Sequence, residues 1–142
     1  MNKHFIFVVI ILLSVISFNI ANATEVNKTA KNDMEGIWVP QNVKSCNSGE
    51  KIEIFKEHLI VHYKSDSARF GDFDICYSCP GGVGYNGIEV WLTSNFNNPN
   101  GASFTLRFND GERKGIMAIY FIDENLAKRF PFEKYKFVKC KK

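Results

Sequence analysis

From Gly36 onward, the hydrophobic and polar positions of this chain alternate with a period of two. Ile52 and Ile54 alternate with Lys51 and Glu53. After a short Lys56-Glu57 turn, Leu59, Val61 and Tyr63 alternate with His58 and His62. Ile88, Val90 and Leu92 interleave with Glu89, Trp91 and Thr93, and Phe104, Leu106 and Phe108 with Ser103, Thr105 and Arg107. Such a period turns one side of each segment toward a core and the other toward water, which is the pattern of a strand. Turn chemistry separates the runs: Asn98-Pro99-Asn100-Gly101, Asn109-Asp110-Gly111 and Asp123-Glu124-Asn125. A spacing of roughly ten residues per strand and turn predicts consecutive antiparallel hairpins rather than βαβ units. Only Glu124 to Arg129 suits a helical turn, and it is too short to hold one alone. The expectation is an all-β fold, an antiparallel meander of seven or eight strands closing into a small barrel or sandwich. Closure removes the unpaired edges of an open sheet.

One run breaks the alternation. Ile116 to Ile122 is apolar on both faces. It reads either as a central strand covered on both sides or as a surface that a partner covers, around Met117, Ile119 and Phe121.

Upstream of the strands the pattern is of another kind. Lys3 stands in a short polar start, an apolar run follows from Phe5 to Val15, and Ala21-Asn22-Ala23 supplies a small-x-small cleavage site. The organisation predicted is a signal peptide over 1–23, a flexible polar arm over 24–35 and a single β domain over 36–142. The destination is the periplasm or the medium, with no stable membrane anchor after cleavage. Removing 23 residues from 142 leaves 119, enough for one domain with a core of its own.

Charge excludes more than it suggests. Of 18 basic residues only Lys3 lies in the leader, so 17 face 15 acids, a net of +2. That balance carries no nucleic-acid footprint. The stretch from Lys128 to Lys142 is basic, with Glu133 its single acid, and reads as a solvated final strand. Aromatic residues are abundant and spread along the chain, as a sheet core requires.

Four cysteines, Cys46, Cys76, Cys79 and Cys140, permit three complete pairings. Export favours their oxidation. In a closed barrel the first and last strands are neighbours, which favours Cys46 with Cys140 and leaves Cys76 with Cys79 as a local pair. The two crossed pairings stay open. Cys76-Tyr77-Ser78-Cys79 is followed by Pro80-Gly81-Gly82, a turn and not the helix start that lowers a redox thiol's pKa. Thiol–disulfide redox chemistry is therefore the weakest functional reading, and one C-x-x-C falls short of a zinc ribbon.

Other constellations are sparse. His58 and His62, on a strand, stand too far apart to share a metal. Asp72 and Asp74 are two apart, a spacing that puts two carboxylates on one strand face about 7 Å apart, with Glu89 on the following strand. A charged outer face gives the same pattern. Residues 80–87 form a glycine-rich loop without the Lys-Ser/Thr end of a phosphate-binding loop. No enzyme class, cofactor or metal is expected.

Gly36-Ile37-Trp38, opening the meander, resembles the G-x-W that begins the first strand of lipocalin-like (calycin) barrels. The resemblance implies a barrel whose tryptophan plugs its closed end. Compact bacterial proteins of this kind include periplasmic inhibitors and immunity proteins. The favoured function is thus an exported protein-binding module that blocks a cell-envelope-acting enzyme or toxin; the alternative is a carrier of a small apolar ligand. The contacts expected are Asp72, Asp74, Tyr77, Tyr85, Asn86 and Trp91, with Tyr85→Ala and Trp91→Ala weakening binding while sparing the melting temperature.

Overall fold

The computed structural model describes residues 33–94 and 103–141. The signal peptide read over 1–23, most of the arm read over 24–35 and the Asn98–Gly101 turn lie outside the described residues. Residues 1–34 and 35–142 cluster as separate units, and the second holds the sheet.

Nine strands form it: β1 (Gly36–Pro40), β2 (Lys51–Ile54), β3 (His58–Tyr63), β4 (Asp66–Gly71), β5 (Phe73–Cys76), β6 (Val90–Ser94), β7 (Phe104–Phe108), β8 (Ile116–Phe121) and β9 (Phe137–Lys139). Their order across the sheet is β4-β3-β2-β1-β9-β8-β7-β6-β5. Every pairing is antiparallel, and β1 lies between β2 and β9. The two ends of the domain are therefore neighbours, and the sheet curls into a nearly closed barrel.

The strand count exceeds the seven or eight that the alternation predicts, and one residue explains why. The run from Asp66 to Cys76 is interrupted at Asp72, which sits in the left-handed region at φ 49°. Aspartate tolerates that conformation better than most residues. The interruption lets the first half of the run pair with β3 and the second half with β6. Thus the two edge strands, β4 and β5, follow one another in the chain.

The alternating apolar residues point inward as the pattern requires. Ile52, Leu59, Val61, Phe104, Leu106 and Ile119 are fully buried. Phe70 of β4 meets Phe104 of β7 edge-on across the interior, with ring centroids 4.9 Å apart. Trp38 is buried with its ring edge-on to Phe108, the last residue of β7, at 5.5 Å. In β8, Met117, Ile119 and Phe121 belong to this core. The surface imagined around those three residues does not exist in the folded protein. The second apolar face of β8 belongs to Ala118, which is buried on the outer side of the sheet.

A short helix, α1 (Glu124–Arg129), follows β8. Asp123 caps it, its carboxylate accepting from the Asn125 and Leu126 amides at 2.8 and 3.0 Å. The helix buries no side chain of its own and is held by its surroundings. Arg129 makes a two-pronged contact with Asp66 of β4, both distances 2.6 Å, and donates to the Ser67 carbonyl at 3.0 Å. Arg129 holds the exposed Asp66 carboxyl below its ordinary pKa through that hydrogen bond. Directly after α1, Phe130 and Phe132 are buried, Phe130 stacking on Phe121 and Phe132 packing against Tyr63 and Phe137.

Two disulfides staple the domain. Cys46 and Cys140 are bridged with Cα atoms 5.9 Å apart, as are Cys76 and Cys79 at 5.5 Å. The first bridge lies where the neighbouring strands β1 and β9 bring the two ends of the domain together. Both fit an oxidising environment. Among the described residues, no helix is long and apolar enough to cross a membrane.

Candidate functional site

Register on the outer face of β5–β8 assembles side chains that the sequence keeps far apart. Cys76 stands opposite Trp91, Trp91 opposite Arg107, and Arg107 opposite Ala118. A second outer row runs Asp74, Thr93, Thr105 and Tyr120. Since Ala118 contributes only a methyl group, there is room above it for larger neighbours. The Arg107 guanidinium lies 4.6 Å from the centre of the Trp91 ring and 4.4 Å from that of Tyr120. An arginine flanked by two aromatic rings gains cation–π attraction from each.

Below this sandwich the chain turns after β7 through a short 3-10 helix, Asp110–Glu112. Asn109, in the left-handed region at φ 54°, ties that turn down. Its side chain donates to the Ile88 carbonyl and accepts from the Gly115 amide, both at 2.8 Å. Asp110 is buried and accepts from Lys136 at 2.8 Å, while Arg113 approaches at 3.4 Å and the Tyr120 hydroxyl at 3.5 Å. Burial pushes the Asp110 carboxyl up, but the hydrogen bond and charge of Lys136, helped by Arg113, outweigh it. The group therefore titrates below the ordinary carboxylate range. Reciprocally, Asp110 lifts the Lys136 ammonium above the ordinary lysine value.

The glycine-rich loop is bound to the same turn. Tyr85 donates its hydroxyl hydrogen to Glu112 and accepts from the Glu89 amide at 2.9 Å. Glu112 also takes the Ile88 amide at 2.7 Å. The tyrosine holds Glu112 below its usual pKa; burial first and then Glu112 push the tyrosine's own pKa up. Glu89 is buried, accepting from the Trp91 indole at 2.6 Å and the Gly111 amide at 2.8 Å. Glycine is needed at two points of this loop for want of room. A Cβ at Gly81 would stand 2.6 Å from the Tyr85 ring, and one at Gly87 would collide with the Tyr85 hydroxyl and Glu112.

The residues singled out from sequence divide accordingly. Tyr77 follows β5 directly, at the end where Cys76 faces Trp91, and is half-buried, which raises its pKa. Asn86 is exposed in the loop, and Asp74 is exposed on the outer face. Tyr85 is a brace of the loop. Asp72 lies at the far end of β5, in the corner between the edge strands. Asp72 and Asp74 thus do not share one strand, and the paired-carboxylate geometry read from their spacing is absent. Glu89 precedes β6, with both its oxygens engaged, and is no free acid.

Cys76 and Cys79 close a turn in which the Gly81 and Gly82 amides donate to the Ser78 carbonyl at 3.3 and 2.6 Å. No helix begins there to activate a thiol. Among the described residues, no three His, Cys, Asp or Glu side chains are grouped as a metal ion requires. Sequence reading missed Arg107, Tyr120, Asp110 and Lys136. For Arg107 and Tyr120 the available signal was their outward position in strands, whereas Asp110, in the turn after β7, and Lys136, just before β9, carried none.

No protein-family model, no curated protein and no solved structure matches this chain.

Proposed function

We propose that this protein is an exported, lipocalin-like binding module of the inhibitor or immunity type, acting in the periplasm or after secretion. Its partner is another protein, a cell-envelope-acting enzyme or toxin. The observation that carries the reading is the braced surface made by Trp91, Arg107 and Tyr120 beside the loop that Tyr85, Glu89 and Glu112 hold down. Tryptophan, tyrosine and arginine are the residues on which interface energy concentrates. A surface ordered in advance loses little entropy when a partner docks. The Cys76–Cys79 bridge stiffens the start of the same loop. The carrier alternative gains no support, because the inward positions are filled by large side chains such as Phe104, Met117 and Phe137.

The test is inhibition. The mature chain is added to purified peptidoglycan hydrolases and envelope-directed lipases, and turnover of each is followed by product release. Stoichiometric inhibition of at least one enzyme, weakened by Trp91→Ala, is the expected result. If every enzyme in such a panel runs at full rate in excess inhibitor, the reading fails.

A further inference from the structure

We propose that Arg107 is the receptor for a carboxylate, supplied by an acidic side chain of a partner protein. The inference rests on the binding-module reading and names the chemistry of its contact. The Trp91 ring, from β6, and the Tyr120 ring, from β8, flank the guanidinium at 4.6 and 4.4 Å, and neither ring satisfies its in-plane donors. All its N–H donors lie in that plane. Its Nε is buried without a hydrogen-bond partner, and among the described residues Arg107 joins no ion pair.

The acids of the adjoining loop and turn are already engaged. Asp110 serves Lys136 and Arg113, Glu112 serves Tyr85 and the Ile88 amide, and Glu89 serves Trp91 and the Gly111 amide. An arginine held between two rings, with an unpaired donor and no acid of its own, matches a planar two-oxygen acceptor. Stacking removes much of the side-chain freedom that binding would otherwise cost. Lys136 and Arg113 offset the charge of Asp110, whereas Glu89 and Glu112 pair with no cation among the described residues. The charge they leave beside the site disfavours a phosphate dianion more than a singly charged carboxylate. Enzymes that cleave glycan strands carry paired carboxylates flanking the scissile bond, so a cleft of that type offers the required group.

The test is independent of the partner's identity. In protein labelled with ¹⁵N, the Arg107 Nε–H and Trp91 indole N–H signals are followed during titration with a short peptide containing Glu and Asp. The same peptide carrying Gln and Asn, and inorganic phosphate, are the comparisons. A saturable shift of the Arg107 signal with the acidic peptide alone is expected. Arg107→Lys, which keeps the charge and loses the fork, should weaken binding at least about fivefold by the Trp91 signal. Should that variant unfold, Tyr120→Leu, which removes one stacking face and keeps the guanidinium, carries the comparison with the same expectation. The proposal is overturned by an acidic peptide that leaves the Arg107 signal unmoved to its solubility limit. It is equally overturned by phosphate shifting the signal as readily, or by undiminished binding in the folded variant. A negative hydrolase panel with a positive titration would sink the inhibitor reading and leave this contact standing.

Discussion

Tyr85 donates its hydroxyl hydrogen to Glu112, and this contact ties the glycine-rich loop to the turn between β7 and β8. A loop that composition alone marks as flexible is thereby given one conformation. Tyr85 is thus part of the fold as well as of the candidate surface, contrary to the expectation that its truncation spares stability. Tyr85→Phe keeps the ring and loses both hydroxyl contacts, so it should cost about 1–2 kcal/mol in urea denaturation. Hydrogen exchange at the Ile88 and Glu89 amides should rise with it. Unchanged exchange at both amides would show that the tyrosine braces nothing.

Acid should loosen this corner before the rest of the barrel. Asp110 and Glu112 both titrate below the ordinary carboxylate range, so each is more acidic folded than unfolded. Their contribution is present above the unfolded value and disappears as pH falls through the lowered folded one. The urea midpoint should therefore drop as pH is taken from about 5 toward about 2, where carboxylates protonate. Asp110→Asn should flatten part of that dependence, and an identical pH profile in the variant would remove Asp110 from the account.

Trp38→Ala should cost roughly 3–5 kcal/mol, since it deletes a buried ring packed edge-on against Phe108. The two tryptophans should also separate by quenching: Trp91 is half-buried on the outer face and Trp38 is inside. In a Trp91→Phe variant, the remaining fluorescence should resist an aqueous quencher. Ready quenching of Trp38 would contradict the packing described here.

The two disulfides should differ in weight. Cys46 and Cys140 are 94 residues apart, and closing so long a loop is worth on the order of 4–5 kcal/mol in the chain-entropy account. Cys76 and Cys79 are separated by 3, and the same account gives about 2 kcal/mol. Replacing the first pair by serine should lower the denaturation midpoint far more than replacing the second. Alkylation before reduction should label neither pair, and mass spectrometry reads the result.

Much of the barrel was legible because its alternation is clean where both neighbours are strands. Phe104, Leu106 and Phe108 announce an inward face without help from anything distant. The strand-end cysteines follow from the same topology once closure is assumed. Asp72 was not legible in this way, because a left-handed residue inside an extended run leaves the alternation intact on either side. The site was legible only in part. Trp91 stood out as an aromatic on a polar face, whereas Arg107 looked like an ordinary solvated position. Its meaning comes from register: Trp91 and Tyr120 reach it from strands on either side, and sequence spacing does not reveal which residues stand opposite.

The pairing of β1 with β9 has a consequence for how the chain reaches this state. Hairpins β2–β3 and β7–β8 join near neighbours and can form early, at small cost in chain entropy. Setting β9 beside β1 joins residues from opposite ends of the domain, so it must wait until the intervening chain is gathered in. Cys46 and Cys140 meet only when that has happened. The bridge between them therefore serves as a record of completion: a population trapped during refolding should acquire it last.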